Sequence, residues 1–504
     1  MARLAGAFRG LGVVRAARVA VFLPQRLENV ASHLAAFRIG AVSVPLSPLF
    51  GPEALRHRLG VAGARVIVTE PSLAGRVLAV RGDLPELAAV VVCDEPIGGE
   101  PRTGSHLDVP FDRLVREHAP VPIEATHRDD PAMIVFTSGT TGLPKGAVHA
   151  HRFVPGRLPA FELIHRLESG PPSERPFWTP ADWAWVAGLV DSVLAPLAFG
   201  RPVLAWTRRG KLDPEDAVRV MRRANVGRLF VPPTALRLLA HLPDDAFEPP
   251  LDLESVHTAG EPLGAETYTW ALARIGAVQE LYGLTEVGAV IGCSPYTPVR
   301  PGSMGRPYPG YEVDLVDDRG SAVEPGAVGE IVVRADCPGM FLEYLDDAEG
   351  TAARFLWSEG VRWMRTGDLA RRDADGYLWF CGRADDVFNT AGYRVGPAEI
   401  EDTLLGEPEV ARAAVVAEPD EDRGDIVKAF VVLRPGIEPS EALAERLAAG
   451  VKSRLAAFEM PRAIVFAREL PETVTGKLRR VALRQPDAEQ RFAILTWRAK
   501  RGSP

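Results

Sequence analysis

Along residues 18–284, short apolar runs alternate with helical patterns, and most of the runs are apolar on both faces. "RVAVFL" (18–23) precedes the amphipathic stretch 27–39, "AVSVPLS" precedes "PEALRHRLG", "ARVIVTE" precedes "SLAGRVLAV", and "AAVVVCD" follows. Further on, "EDAVRVMRRA", "GRLFVPP", "TALRLLAHL", "LESVHTAG", "AETYTWALARIGA" and "VQELYG" continue the alternation. A strand that is apolar throughout needs cover on both faces, and a parallel neighbour needs a crossover connection, so the pattern reads as α/β with largely parallel sheets. From about residue 300 the texture changes. "YEVDLVDDRG" and "GEIVVRA" alternate in polarity between Gly, Pro and Asp turns, which predicts a small β subdomain. After "GRADD" (382–386) come a helix "PAEIEDTLLG", strands "VARAAVVAEP" and "VKAFVVLRP", a helix "SEALAERLAAGVKSRLA" and a strand "RAIVFA". The expected architecture is a large α/β N-terminal domain over 1–384, with parallel-rich sheets and the β subdomain. A smaller, mobile α+β C-terminal domain follows over 385–504, with the boundary at Asp385. A chain of 504 residues exceeds what one core usually sustains.

The net charge of −8 argues against a nucleic-acid partner, which usually meets a basic face. No apolar run approaches the roughly 18 residues of a membrane helix, so no membrane partner is expected. Cys93, Cys293, Cys337 and Cys381 lie far apart and form no CxxC pair, which fits a reducing compartment and a cytoplasmic protein. The first 27 residues carry five Arg and no acid, as a transit peptide would, but the strand pattern of "RVAVFL" assigns them to the fold.

Of 58 basic residues only six are Lys. Two of these, Lys145 ("PKG") and Lys477 ("TGK"), stand out as lysines inside Gly loops. The first ends "TSGTTGLPKG" (137–146), which follows the apolar run 132–136. A strand delivering its chain into a Gly/Ser/Thr loop offers backbone N–H groups and hydroxyls to an anion, and the ammonium adds charge. The spacing excludes a Walker A loop, because Gly146 rather than Ser or Thr follows Lys145.

"TSGTTGLPKG" resembles the signature of the adenylate-forming superfamily of acyl-CoA synthetases, adenylation domains and luciferases. "GEPLG" (260–264), "YGLTE" (282–286), "GEIVVR" (329–334), "RTGDLARRDADGYLWFCGRADD" (365–386), "AGYRVGPAEIE" (391–401) and "PETVTGKLRR" (471–480) follow in that family's order. The resemblance implies a two-step reaction. A carboxylate attacks the α-phosphate of ATP to give acyl-AMP and pyrophosphate, and a thiol then takes the acyl group. Thr137, Ser138, Gly139, Thr140, Thr141, Gly142 and Lys145 would hold the β- and γ-phosphates, Thr285 the α-phosphate, and Glu286 Mg2+. Gly260, Glu261 and Pro262 would line the adenine and Tyr282 would stack on it. Asp368 would take the ribose hydroxyls, with Arg383 and Arg394 as further donors, and Gly283 and Phe380 complete the nucleotide and acyl surroundings. The resemblance also implies a longer segment ahead of "RVAVFLP" than the one in this chain.

"FWTPADWAWVAGL" (177–189) is similar to acetyl- and medium-chain acyl-CoA synthetases. There a bulky Trp takes the place of Gly283, so Gly283 implies a pocket open to chains longer than acetyl, with Trp185, Val186 and Leu189 as walls. His151 would border that pocket, while Asp182 would cap a helix. The expected activity is that of an acyl-CoA synthetase acting on a short- or medium-chain acid with ATP, Mg2+ and CoA; a stand-alone enzyme loading a carrier protein is the alternative. The C-terminal domain carries two loops for one site, Lys477 for adenylation and Gly392 beside the thiol channel. The resemblance implies that rotation about Asp385 exchanges them.

Overall fold

The computed structural model describes residues 1–93, 108–137, 144–165, 174–208, 212–384, 386, 388–390, 393–420, 424–472 and 478–499. The first sheet has eight strands in the order Glu343–Tyr344, Gly146–Ala150, Pro131–Phe136, Val42–Pro45, Arg18–Val21, Ala64–Thr69, Ala89–Val92, Asp108–Pro110. All neighbours from Pro131–Phe136 onward are parallel, and Gly146–Ala150 returns antiparallel. The second sheet runs Arg306–Pro307, Gly288–Gly292, Val278–Leu284, Ser255–Ala259, Arg228–Phe230, Phe177–Trp178, and its last four strands are parallel. The predicted β subdomain is an antiparallel sheet of Val313–Val316, Val328–Arg334, Val361–Arg372 and Phe355–Ser358, with Leu378–Arg383 added beside Val361–Arg372.

The helices begin and end where local chemistry directs. Helix Pro52–Ala62 opens on Pro and stops at Gly63, which adopts φ +55. Helix Pro214–Arg223 is capped by Asp213, whose carboxylate accepts from the Glu215 N–H at 3.0 Å; acids fill its first turn and Arg its last. The basic N-terminus forms helix Ala2–Gly10. It buries Leu4, Ala7 and Phe8 against helices Leu27–Arg38 and Phe111–Glu117, so it is part of the core.

The C-terminal region builds a mixed sheet of Tyr393–Val395, Phe388–Thr390, Gly424–Leu433, Ala463–Ala467 and Ala493–Arg498, with Val410–Asp420 paired to Gly424–Leu433. Helices Pro397–Leu405 and Glu441–Arg454 cover one face. Helix Pro397–Leu405 also packs on strand Leu378–Arg383, and Arg434 reaches Glu266 at 3.6 Å. Asp385, the expected hinge, lies outside the described residues.

Candidate active site

Strand Pro131–Phe136 delivers its chain to Thr137, whose N–H donates to the Lys145 carbonyl at 2.9 Å. That bond closes the neck of the Gly-rich loop. Ser138, Gly139, Thr140, Thr141 and Gly142 lie outside the described residues, as do Gly392 and Lys477. Of Arg394 the structure gives only the backbone, paired with Asn389. Lys145 is half-exposed. Its ammonium lies 2.7 Å from Asp347 and 5.2 Å from the centre of the Tyr344 ring.

Tyr344 links this loop to the second sheet. Its short strand pairs with Ala147, and its hydroxyl donates to Glu286. Arg354 donates to the same hydroxyl at 2.9 Å and stands 3.6 Å from the Glu286 carboxylate. Burial, and then the Glu286 charge, hold the Tyr344 hydroxyl above its ordinary pKa, so it stays a donor. Glu286 is 5% exposed and sits with Thr285 in the turn between strands Val278–Leu284 and Gly288–Gly292. Tyr344, Asp347 and Arg354 are absent from the sequence reading. "EYLDDAEGTAARF" contains no Gly-rich or periodic signal; Tyr344 and Arg354 meet Glu286, and Asp347 meets Lys145, only once Tyr344 pairs with Ala147 in the fold.

On the other side of the hairpin, Tyr282 donates its hydroxyl to Asp368 Oδ2 at 2.7 Å, and Arg383 donates to Oδ1 at 3.1 Å. Tyr282 stands on strand Val278–Leu284 and Asp368 on Val361–Arg372, so the β subdomain is fastened to the second sheet at this contact. Arg354 also comes near: its Nη1 and the Arg383 Nη2 both face Gly367, 3.6 and 3.1 Å from where a Cβ would lie. The structure therefore draws Lys145, Glu286, Tyr282, Asp368 and Arg383 into one linked set, with Thr285 beside Glu286. Phe380 lies half-buried on the neighbouring strand Leu378–Arg383 and packs on the subdomain core.

Several expectations need correction. Glu261 does not turn its carboxylate to an adenine site. It accepts from the N–H of Thr234 at 2.9 Å and from its hydroxyl, and it pairs with Arg237 at 2.6 Å, so it caps helix Pro233–Leu239. Gly260, at φ +103, and Pro262 keep their place on the loop. Gly283 does not open onto free volume. A Cβ there would lie 2.1 Å from the Gly288 carbonyl oxygen and 2.6 Å from Ala289 Cα, so the returning strand fills the space. Leu189 is fully buried among Met133, Val135, Phe153 and Val193 and has no surface for a ligand. Trp185 and Val186 keep part of theirs, with Trp185 edge-on to Phe50.

Asp182 caps no helix. Its carboxylate accepts from the Ala184 N–H at 3.1 Å and from the Ser47 hydroxyl, holding a turn ahead of the helix. His151 lines an apolar cavity of about 320 Å³ with Leu34, Phe37, Met133 and Phe153. That cavity is at the start of strand Pro131–Phe136 and the end of Gly146–Ala150, opposite the phosphate loop, so His151 borders no acyl site there. His149 stacks on Phe153 at 3.9 Å, and burial lowers its pKa to about 3, making it a neutral core ring.

The family model of the AMP-binding enzyme matches residues 1–345, and that of the AMP-binding enzyme C-terminal domain matches residues 399–477. The acetyl-coenzyme A synthetase of Bacillus subtilis (strain 168) is 34% identical over 472 residues, spanning 93% of this chain and 80% of that relative. The 4-hydroxybutyrate–CoA ligase 1 of Metallosphaera sedula is 38% identical over 373 residues, 73% of this chain and 64% of that relative. Among solved structures, an anthranilate CoA ligase in complex with anthranoyl-AMP superposes with TM-score 0.85 at 29% identity, covering 97% of this chain and 90% of that one.

Proposed function

The chain belongs to the AMP-binding enzyme family and is an acyl-CoA synthetase, using ATP and CoA as substrates; from that premise we propose which of its residues do the chemistry, and on what acid. The acid is a short- or medium-chain aliphatic carboxylate. The names of the relatives, acetyl-CoA synthetases and a 4-hydroxybutyrate ligase, support that class. The observation that carries the site is the linked set itself. Lys145, Glu286 and Asp368 come from three distant segments and are joined through Tyr344, Arg354 and Tyr282.

In the first step an acid oxygen attacks the α-phosphorus and the bond to the β-phosphate oxygen breaks, releasing pyrophosphate. No enzyme nucleophile is needed, so catalysis is positioning and charge stabilisation. The loop neck of Thr137 and Lys145 holds the departing phosphates, for which Lys145 must exchange Asp347 for phosphate oxygens. Thr285 donates to the α-phosphate. Tyr282 offers its ring to the adenine, held in orientation by its bond to Asp368, while Asp368 accepts from the ribose. Lys477 and Arg394 add positive charge from the C-terminal domain.

Glu286 fits Mg2+: it is a buried carboxylate, a hard oxygen donor beside the phosphate position, and a single protein carboxylate is typical where phosphates complete the shell. Bound there, the ion would neutralise phosphate charge. In the second step the CoA sulfur attacks the acyl carbon, the mixed-anhydride bond to phosphate breaks, and AMP leaves. The C-terminal domain over 385–504 rotates between the steps and the Gly392 loop lines the thiol path. ATP–pyrophosphate exchange with acids from acetate to octanoate and 4-hydroxybutyrate tests the reading. Acid-dependent exchange with at least one of them, followed by thioester on adding CoA, is expected; no exchange with any refutes it.

A further inference from the structure

Arg157 and Asp191 form a buried ion pair with no place in the chemistry above. Arg157 lies on helix Phe153–His165 and is 2% exposed; Asp191 lies in the middle of the π-helix Ala187–Leu194 and is 7% exposed. The guanidinium donates from Nε and Nη2 to Asp191 Oδ1 at 3.0 and 2.8 Å, and from Nη1 to the Ala289 carbonyl at 2.5 Å. It also lies directly against Gly288: a Cβ there would be 2.8 Å from both Cδ and Nε of Arg157. Gly288 pairs with Leu284, and Ala289 with Gly283. These are the two pairs that close the hairpin on Thr285, Glu286 and Val287. Movement of the Arg157 head therefore reaches the turn through the backbone of Gly288 and Ala289.

Stability is a weak reason for such a pair. Replacing a buried ion pair by apolar residues of similar volume is often neutral or stabilising, because two charges need not then be taken out of water. The setting points elsewhere. π-Helical turns are rare and frequent at functional sites. This one begins after Trp185 and Val186, which keep exposed surface, and is pressed on the preceding turn at Gly188, where a Cβ would lie 2.2 Å from the Asp182 carbonyl oxygen. The pair thus ties three elements together: helix Phe153–His165, the π-helix and the hairpin strand Gly288–Gly292.

We propose that Arg157 and Asp191 are positioning residues, holding the Thr285–Glu286 turn at a fixed place relative to the π-helix so that the turn meets the α-phosphate in the reacting geometry. This rests on the role assigned above to that turn. Neither residue touches substrate; they act through Gly288 and Ala289.

Two variants test it: Arg157→Met/Asp191→Leu, which removes both charges and leaves none unpaired, and Asp191→Asn, which keeps shape and an acceptor. Each is measured by thermal melting, hydrogen exchange of amides 283–289, ATP–pyrophosphate exchange, and thioester formation from supplied acyl-AMP. In the double variant we expect the melting temperature to hold and amides 283–289 to exchange faster. The exchange kcat should fall about tenfold or more while KM for ATP stays within about threefold. Thioester formation from supplied acyl-AMP should fall less than pyrophosphate exchange. Asp191→Asn leaves the Arg157 charge without its carboxylate and should melt earlier than the double variant; in either variant the amide protection and the ratio of the two half-reactions are read per folded molecule, well below its own melting temperature. Unchanged protection of 283–289 overturns the proposal, as does an equal loss in both half-reactions that follows the folded fraction. If the parent chain shows no pyrophosphate exchange with any acid, the functional reading fails instead, and the amide protection still decides whether the pair holds the turn.

Discussion

At the scale of single residues, Glu286 and Gly283 are three positions apart and make opposite demands. Glu286 is buried yet its neighbours are a hydroxyl donor and a guanidinium, so a neutral amide of the same shape fits the same bonds. Glu286→Gln should fold as the parent does and raise the Mg2+ concentration for half-maximal pyrophosphate exchange by roughly tenfold or more. An unchanged Mg2+ titration removes Glu286 from the metal's reach. Gly283 tolerates no side chain, because the Gly288 carbonyl occupies the Cβ position. Gly283→Ala should therefore cost about 1–3 kcal/mol of stability, the range for overpacking a filled site. A melting temperature equal to the parent's contradicts that packing. The sequence showed a missing side chain at 283 and suggested a vacancy. Whether a glycine leaves a hole or admits a neighbouring backbone depends on which strand lies beside it, and one sequence does not show the pairing of Gly283 with Ala289.

Among the secondary-structure elements, the alternation of apolar runs and helical periods located most strands of the two parallel-rich sheets, the antiparallel subdomain and the C-terminal α+β order. Those signals are local: burial on two faces, Pro at helix starts, Gly at their ends. Contacts joining one element to another left no local trace. Glu261 illustrates this. It stands in "GEPLG" as one more polar loop residue, yet it caps a helix that starts 28 residues earlier, at Pro233. Removing it with Glu261→Ala leaves the Thr234 N–H without its acceptor and Arg237 without the Glu261 carboxylate. The expected loss is about 1 kcal/mol, as for other caps. Because Gly260 and Pro262 flank the lost anchor, KM for ATP should rise while kcat changes less. If KM for ATP is unmoved and only stability falls, the cap is structural and the loop around Gly260 does not depend on it.

For the whole molecule, the question is what the seam between the N-terminal sheets and the C-terminal domain responds to. Glu280 lies on strand Val278–Leu284, 8% exposed, and accepts from the Leu263 N–H at 3.3 Å, so it also supports the 260–264 loop. Asp402, on helix Pro397–Leu405 of the C-terminal domain, is within its electrostatic reach. Burial, with Asp402 as a smaller contribution, raises the Glu280 pKa to about 7. The Cys293 thiol, just past the neighbouring strand Gly288–Gly292, also faces Glu280. The folded chain therefore holds the Glu280 proton more tightly than the unfolded chain. The stability this gives is complete below about pH 4.5, its unfolded value, and is lost as pH rises through about 7. For Glu280 the shift from 4.5 to about 7 corresponds to an order of 3 kcal/mol. Glu280→Gln keeps an acceptor for Leu263 and removes the titration. Comparing parent and variant across pH 4.5–8, the parent should lose stability more steeply with rising pH, and the two curves should separate most above pH 7, with the variant the more stable. A charged Glu280 facing Asp402 repels the C-terminal helix, so the same pH rise should loosen this docked orientation, read as faster hydrogen exchange along 397–405 in the parent than in the variant. Parallel stability curves for the two proteins would show that Glu280 titrates in the folded chain as it does in the unfolded one, and that the orientation of the domains does not depend on its proton.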